Sequence, residues 1–362
     1  MQGKVMTVTG PVQGDSLGVT LPHEHLLVDT SVYWHQPTPN DPVTERKVAY
    51  MPVTIELLGM IRRRYASLVL DNHFLDDVNL ATAEIMEFGN AGGNTLVELS
   101  NRGLGRDHFG LQAIARRSGI NIVSGTGYYT KPSHPAYLAS KSVAELAQIM
   151  IRDIVEGIDG SQVRCGIIGE IGLSPKIDPD EEKVLRAACL AQRKTGTALT
   201  IHYISHLNAD EGGSEAMRIV DIVEQEGCDP SRTILGHQDC MAVDGLFDVE
   251  PMKQLLRRKA YVEFDNFGHE ELVFHEGLLY QAAHDYHRIQ TLKKLAEAGF
   301  LSQLLVSHDV CRKSHLKRYG GFGYDHVPRT LLPVFNKMGI TAGDVHKLMA
   351  ENPTRVLPVS SL

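Results

Sequence analysis

Eight short apolar runs alternate with amphipathic stretches along this chain, and that alternation narrows the possible folds more than any other feature. The runs are residues 18–25, 94–100, 121–127, 165–172, 198–203, 233–238, 261–267 and 304–309. They are rich in β-branched residues, and most are nearly continuous rather than alternating, the pattern of parallel strands covered on both faces. Helical stretches are expected at 76–91, 107–118, 142–156, 180–195, 214–226, 251–258, 284–298, 325–338 and 341–350. Asp107 and Gly119 bracket one of them as caps, and Ser142 with Glu145 has the spacing of a capping box. An antiparallel pair is expected ahead of the first strand, around residues 4–9.

Strand and helix alternating eight times predict an α/β chain closed into a (β/α)8 TIM barrel. An open doubly wound sheet is the other possibility, but no GxGxxG follows a strand. With no Pro/Gly/Ser-rich linker, residues 1–362 read as a single domain. In such a barrel the chemistry sits where strands end and loops begin. The long connections at 29–75, 203–213 and 265–283, and the irregular segment 310–324, are natural walls for a substrate.

Composition removes several functions. The formal charge is −8, whereas a nucleic-acid binder carries a basic face. No apolar run approaches the roughly 18 residues of a membrane span. The first residues lack a basic stretch followed by an apolar one, so a cytoplasmic location is expected. Five scattered cysteines, Cys165, Cys189, Cys228, Cys240 and Cys311, form no CxxC, which argues against a thiolate metal site or a disulfide framework.

The 17 histidines are more informative. The first strand ends in His23-Glu24-His25, and residues two apart share a face, so His23 and His25 can both look into the barrel mouth. Glu170 lies in the apolar fourth strand, where an unpaired carboxylate would be costly. His202 closes the fifth strand, His237 the sixth and Asp309 the eighth. His308 should face the other way. Singly, each is the kind of polar residue a core satisfies with a neighbour. Together, four imidazoles and two carboxylates at one end of a barrel suit a pair of divalent ions, zinc first, with manganese or cobalt compatible.

At Leu21-Pro22-His23-Glu24-His25, Gly169-Glu170, Thr200-Ile201-His202, Leu235-Gly236-His237 and Val306-Ser307-His308-Asp309 the sequence resembles the phosphotriesterase family of the amidohydrolase superfamily. The likeness runs over essentially the whole chain. It is closer to the branch of phosphotriesterase-related proteins and sugar lactonases, which shares the stretch from Tyr319 to His326. The resemblance implies that His23, His25 and Asp309 hold the more buried ion, that His202 and His237 hold the more exposed one, and that Glu170 bridges them. Organophosphate-degrading members have a carboxylated lysine at the bridge, so Glu170 departs from their pattern.

The chemistry so implied is hydrolysis by a hydroxide held between the ions, with Asp309 as the catalytic proton acceptor. The substrate is expected to be a small molecule, a lactone or related carboxylic ester, with a sugar lactone, phosphorylated or not, among the candidates. The alternatives are amide cleavage of a small N-acyl compound and weak phosphotriester hydrolysis. Tyr128 and Tyr129 after the third strand, Asn266 at the end of the seventh and Lys313 beyond the eighth are the expected substrate contacts. A homodimer is implied by the resemblance alone.

Overall fold

The computed structural model describes residues 2–360 apart from 65–66, 205–208, 242–248, 271 and 276–277. Parts of two of the expected loops, 203–213 and 265–283, therefore lie outside the described residues. The barrel strands are β1 (Val19–Glu24), β2 (Gly93–Glu98), β3 (Asn121–Thr126), β4 (Ile167–Leu173), β5 (Leu199–Tyr203), β6 (Thr233–Leu235), β7 (Tyr261–Phe264) and β8 (Leu304–Val306). All neighbouring pairs are parallel, and the sheet runs in sequence order from β1 to β8. The seam between last and first strand is tied at its upper end, where the Asp309 amide donates to the His23 carbonyl (3.2 Å) and Ser307 Oγ donates to the same oxygen (2.8 Å). The result is a nearly closed (β/α)8 barrel.

Among the described residues, the main crossover helices between successive strands are α1 (Val78–Asn90), α2 (His108–Ser118), α3 (Val143–Val155), α4 (Pro179–Thr195), α5 (Ala209–Gln225), α6 (Val249–Arg257) and α7 (Asp285–Glu297). Their starts follow local chemistry. Asp107 accepts from the Gly110 amide at the head of α2, whose far end turns through Gly119 in the left-handed region. Ser142 and Glu145 form the reciprocal capping box of α3, and Asp178 with Glu181 does the same for α4. The expected antiparallel pair is Lys4–Thr7 with Gly10–Gln13.

The two-residue period of the strands splits the core. Leu199 and Ile201 of β5, and Val262 and Phe264 of β7, join the large cluster that packs against the helices. Ala198 and Tyr261 belong instead to a smaller cluster with Val97, Val123, Ile167, Ile234 and Leu305, the lower plug of the barrel interior. Continuing that inner column by twos leads from Ala198 through Thr200 to His202, and from Tyr261 through Glu263 to Asp265. The strand period thus carries polar residues to the upper mouth above an apolar floor.

Two expectations are corrected. Strands six and eight stop short of residues 238 and 309, because His237 (φ 58°) and Asp309 (φ 49°) adopt left-handed backbone that cannot continue a ladder. The stretches 325–338 and 341–350 are not regular helices. Wide turns at His326–Leu331 and Lys347–Glu351 interrupt them. Pro333 and Pro353 lack the N–H needed to bond back to Arg329 and Met349, so the helical register loosens just before each proline. The long connection after β1 carries structure of its own. Val28–Asp29 pairs with Phe74–Leu75, and Val48, Val53, Ile61, Leu68 and Val69 form a small core inside the loop.

Candidate metal centre

Six of the residues singled out in the sequence converge at the upper mouth. Glu170 is the hub. Its Oε2 lies 3.3 Å from His23 Nε2, 2.9 Å from His202 Nδ1 and 3.7 Å from His237 Nε2, and its Oε1 lies 3.4 Å from His25 Nε2. Asp309 Oδ1 lies 3.2 Å from His25 Nε2 and 3.9 Å from His23 Nε2. His202 Nδ1 and His237 Nε2 are 2.5 Å apart. Two triads therefore stand side by side, His23–His25–Asp309 and Glu170–His202–His237, each with donor atoms within 4.8 Å of one another.

The rings are aimed by neighbours. His25 Nδ1 meets Ser100 Oγ at 2.9 Å, which leaves Nε2 for the centre. His237 Nδ1 meets Asp265 Oδ1 at 2.8 Å. Glu24 points away from the centre and accepts from Ser307, from the amides of His308 and Val310 and from His308 Nδ1, so both Glu24 and His308 serve the loop rather than the mouth.

The donor set fits divalent cations. His23 is fully buried, and carboxylate oxygens lie 3.1–3.5 Å from its ring nitrogens, yet among the described residues neither nitrogen makes a well-directed hydrogen bond, a costly state unless something else satisfies the ring. Burial drives His25 and His237 toward the neutral form. Asp309 and Glu170 around His25, and Asp265 around His237, more than offset this and push both up to about 10. Burial likewise opposes ionisation of Glu170 and Asp309, but the surrounding imidazoles hold both carboxyls below the usual range. Without metal the carboxylates recruit protons onto His23, His25 and His237, while burial and the neighbouring His237 keep His202 toward its neutral form. Divalent ions would supply the same positive charge and turn these nitrogens into ligands.

The four expected substrate contacts fall in different places. The Tyr129 hydroxyl stands 3.0 Å from His202 Nε2, with its ring edge-on to that of Tyr33. Tyr128 is fully buried and its hydroxyl meets that of Tyr137 at 3.1 Å, so it packs beneath the loop away from the centre. Asn266 is also turned inward, its Nδ2 lying 2.7 Å from Asp265 Oδ1 and 2.9 Å from Asp239 Oδ1. Lys313 Nζ closes on Asp71 at 2.6 Å. Its neighbour Arg312 has no carboxylate partner among the described residues and lies against His73, which burial and this guanidinium push down to about 3. Sequence reasoning passed over Asp265 and Ser100. Both stand beside strand ends already chosen, and Asp265 is one position from Asn266.

The model of the phosphotriesterase family matches residues 3–357. The chain belongs to the phosphotriesterase family. Members are hydrolases built on a two-metal centre, and the two triads are candidate ligands for such a centre. Among its relatives is an N-acetyltaurine hydrolase from Salmo salar, 33% identical over 99% of this chain and 98% of the relative. A solved structure of a resiniferatoxin-binding protein from Rhodobacter sphaeroides superposes with a TM-score of 0.91, at 35% identity over 99% of this chain and 97% of that one. The lactonase Lmo2620 from Listeria monocytogenes shares the phosphotriesterase-family fold at a TM-score of 0.78 and 22% identity, covering 99% and 100% of the two chains. Among the described residues, no helix is long and apolar enough to cross a membrane.

Proposed function

We propose that this family member hydrolyses a small carboxylic acyl compound, with amides of N-acylated amino acids or aminosulfonates placed first. Hydrolysis rests on one observation, the convergence of His23, His25, His202, His237 and Asp309 on the bridging carboxylate of Glu170. The preference for an amide rests on relatives named N-acetyltaurine hydrolase that align along nearly the full length of the chain. Opening of a lactone is the second reading, kept because Glu170 stands at the bridge as in the sugar-lactonase branch that the sequence resembles.

Two divalent ions, zinc in the first instance, would supply Lewis-acid polarisation of the carbonyl and a water acidic enough to attack at neutral pH. The remaining work falls to side chains. Asp309 is the most exposed of the six ligands, with 13% of its side chain accessible, and is held ionised by His25 and His23. An ionised carboxylate at the open side of the centre is suited to take the proton from the attacking water and deliver it to the leaving nitrogen. Tyr129 caps His202 from the substrate side. Arg312, three residues beyond Asp309 and resting on a neutral imidazole, supplies a cation for an acidic tail. Lys313 cannot do so, because Asp71 already neutralises it.

The test is a comparison of kcat/KM for one N-acyl aminosulfonate, one sugar lactone and one phosphotriester on zinc-loaded protein. A preference of at least tenfold for the acyl aminosulfonate supports the first reading. A preference of that size for the lactone supports the second. Faster turnover of the phosphotriester than of either would overturn both.

A further inference from the structure

We propose that Asp265 is a positioning residue shared by both halves of the metal centre, aiming one ligand ring in each. The proposal rests on the two-ion reading above. Asp265 completes the inner column of β7 and is fully buried. Its Oδ1 lies 2.8 Å from His237 Nδ1, and its Oδ2 lies 3.1 Å from His23 Nδ1. Both oxygens also accept from the His237 amide, at 3.1 and 2.9 Å, so the carboxylate cannot swing without disturbing the backbone beneath that ligand. Glu263 Oε2, at 3.5 Å, is the more distant carboxylate on His23 Nδ1.

The opposite edges of the same rings face Glu170. With Nδ1 turned to Asp265, each imidazole presents Nε2 to the centre, the tautomer a metal ligand needs. His23 belongs to the triad with His25 and Asp309, while His237 belongs to the triad with Glu170 and His202. One carboxylate therefore aims one ligand in each triad. Two further features support the arrangement. Gly236 leaves room for it, since a Cβ there would stand 2.9 Å from Asp265 Oδ2 and 3.4 Å from His23 Nδ1. Behind it, Asn266 Nδ2 joins Asp265 to Asp239, and Arg288 Nε pairs with Asp239 at 2.8 Å, a strut of buried polar groups that fixes the carboxylate in place.

The decisive variant is Asp265→Asn. A carboxamide of the same shape can accept from one ring N–H but must turn its own N–H toward the other. Chelator-stripped protein titrated with zinc, in competition with a chromophoric chelator, is expected to show both ions bound about 10- to 100-fold more weakly than in the wild type. Two ions held at wild-type affinity, or weakening of one ion alone, would overturn the shared role. If the variant does not fold, zinc-loaded wild type labelled with ¹⁵N-histidine decides the matter. His23 and His237 should both show protonated Nδ1 and metal-bound Nε2, and ligation of either ring through Nδ1 would overturn the proposal. A wild type that binds fewer than two zinc ions contradicts the two-ion reading instead. In that case an unchanged affinity of Asp265→Asn for the remaining ion would overturn the positioning role as well.

Discussion

Glu170 and Asp265 take opposite edges of the same two imidazole rings, those of His23 and His237. Glu170 gathers the Nε2 edges at the centre, and Asp265 holds the Nδ1 edges from below. The geometry separates two tasks that a list of polar strand-end residues leaves mixed, namely binding an ion and aiming the group that binds it.

Asp309→Asn should leave the fold intact, because the main-chain bond from residue 309 to the His23 carbonyl needs no carboxylate. Turnover should fall by about 10²- to 10⁴-fold, the range for losing a positioned general base. Rates measured beside circular dichroism spectra check this. Near-normal turnover in a folded variant would remove Asp309 from proton transfer.

Metal-free protein should lose stability as the medium becomes alkaline. His25 and His237 are held at about 10, above their ordinary 6.5. A histidine raised on folding stabilises the folded chain fully below its unfolded value, and that contribution is lost as pH rises through the folded value. Melting of chelator-treated protein should therefore weaken progressively between about pH 6.5 and 10. Zinc-loaded protein should change less over that interval, since the ions have already replaced those protons. Equal slopes for the two forms would contradict the proton-for-metal exchange.

Arg312→Met should raise KM for an acidic N-acyl substrate about 10- to 150-fold, the equivalent of one charge-assisted hydrogen bond of about 1.5–3 kcal/mol, and spare a neutral analogue. Lys313→Met should affect both substrates alike, because its ammonium is committed to Asp71. Steady-state kinetics on the matched pair of substrates distinguishes the two residues.

Much of this was legible in the sequence. Continuous apolar runs gave the parallel strands, and the caps at Asp107, Ser142 and Gly119 stood where the residue chemistry placed them. His23, His25, Glu170, His202, His237 and Asp309 were readable because each closes or interrupts an apolar run. What eluded sequence reading depends on side-chain direction. Tyr128 and Tyr129 are adjacent, yet one packs under the loop and the other caps His202. Lys313 is only a cation in sequence, and its neutralisation by Asp71 crosses 242 positions of chain. Asp265 and Asn266 are neighbours too, and only the barrel's inner column reveals that the aspartate lies behind two ligands.

The central claim is a two-ion centre bridged by Glu170, and the most direct measurement is metal content per chain by mass spectrometry, on protein purified without chelator and on Glu170→Gln. Close to two divalent ions in the wild type, falling to one or fewer in the variant, is the expected result. One ion or none in the wild type, unchanged by the substitution, would contradict the bridge and the hydrolytic mechanism built on it.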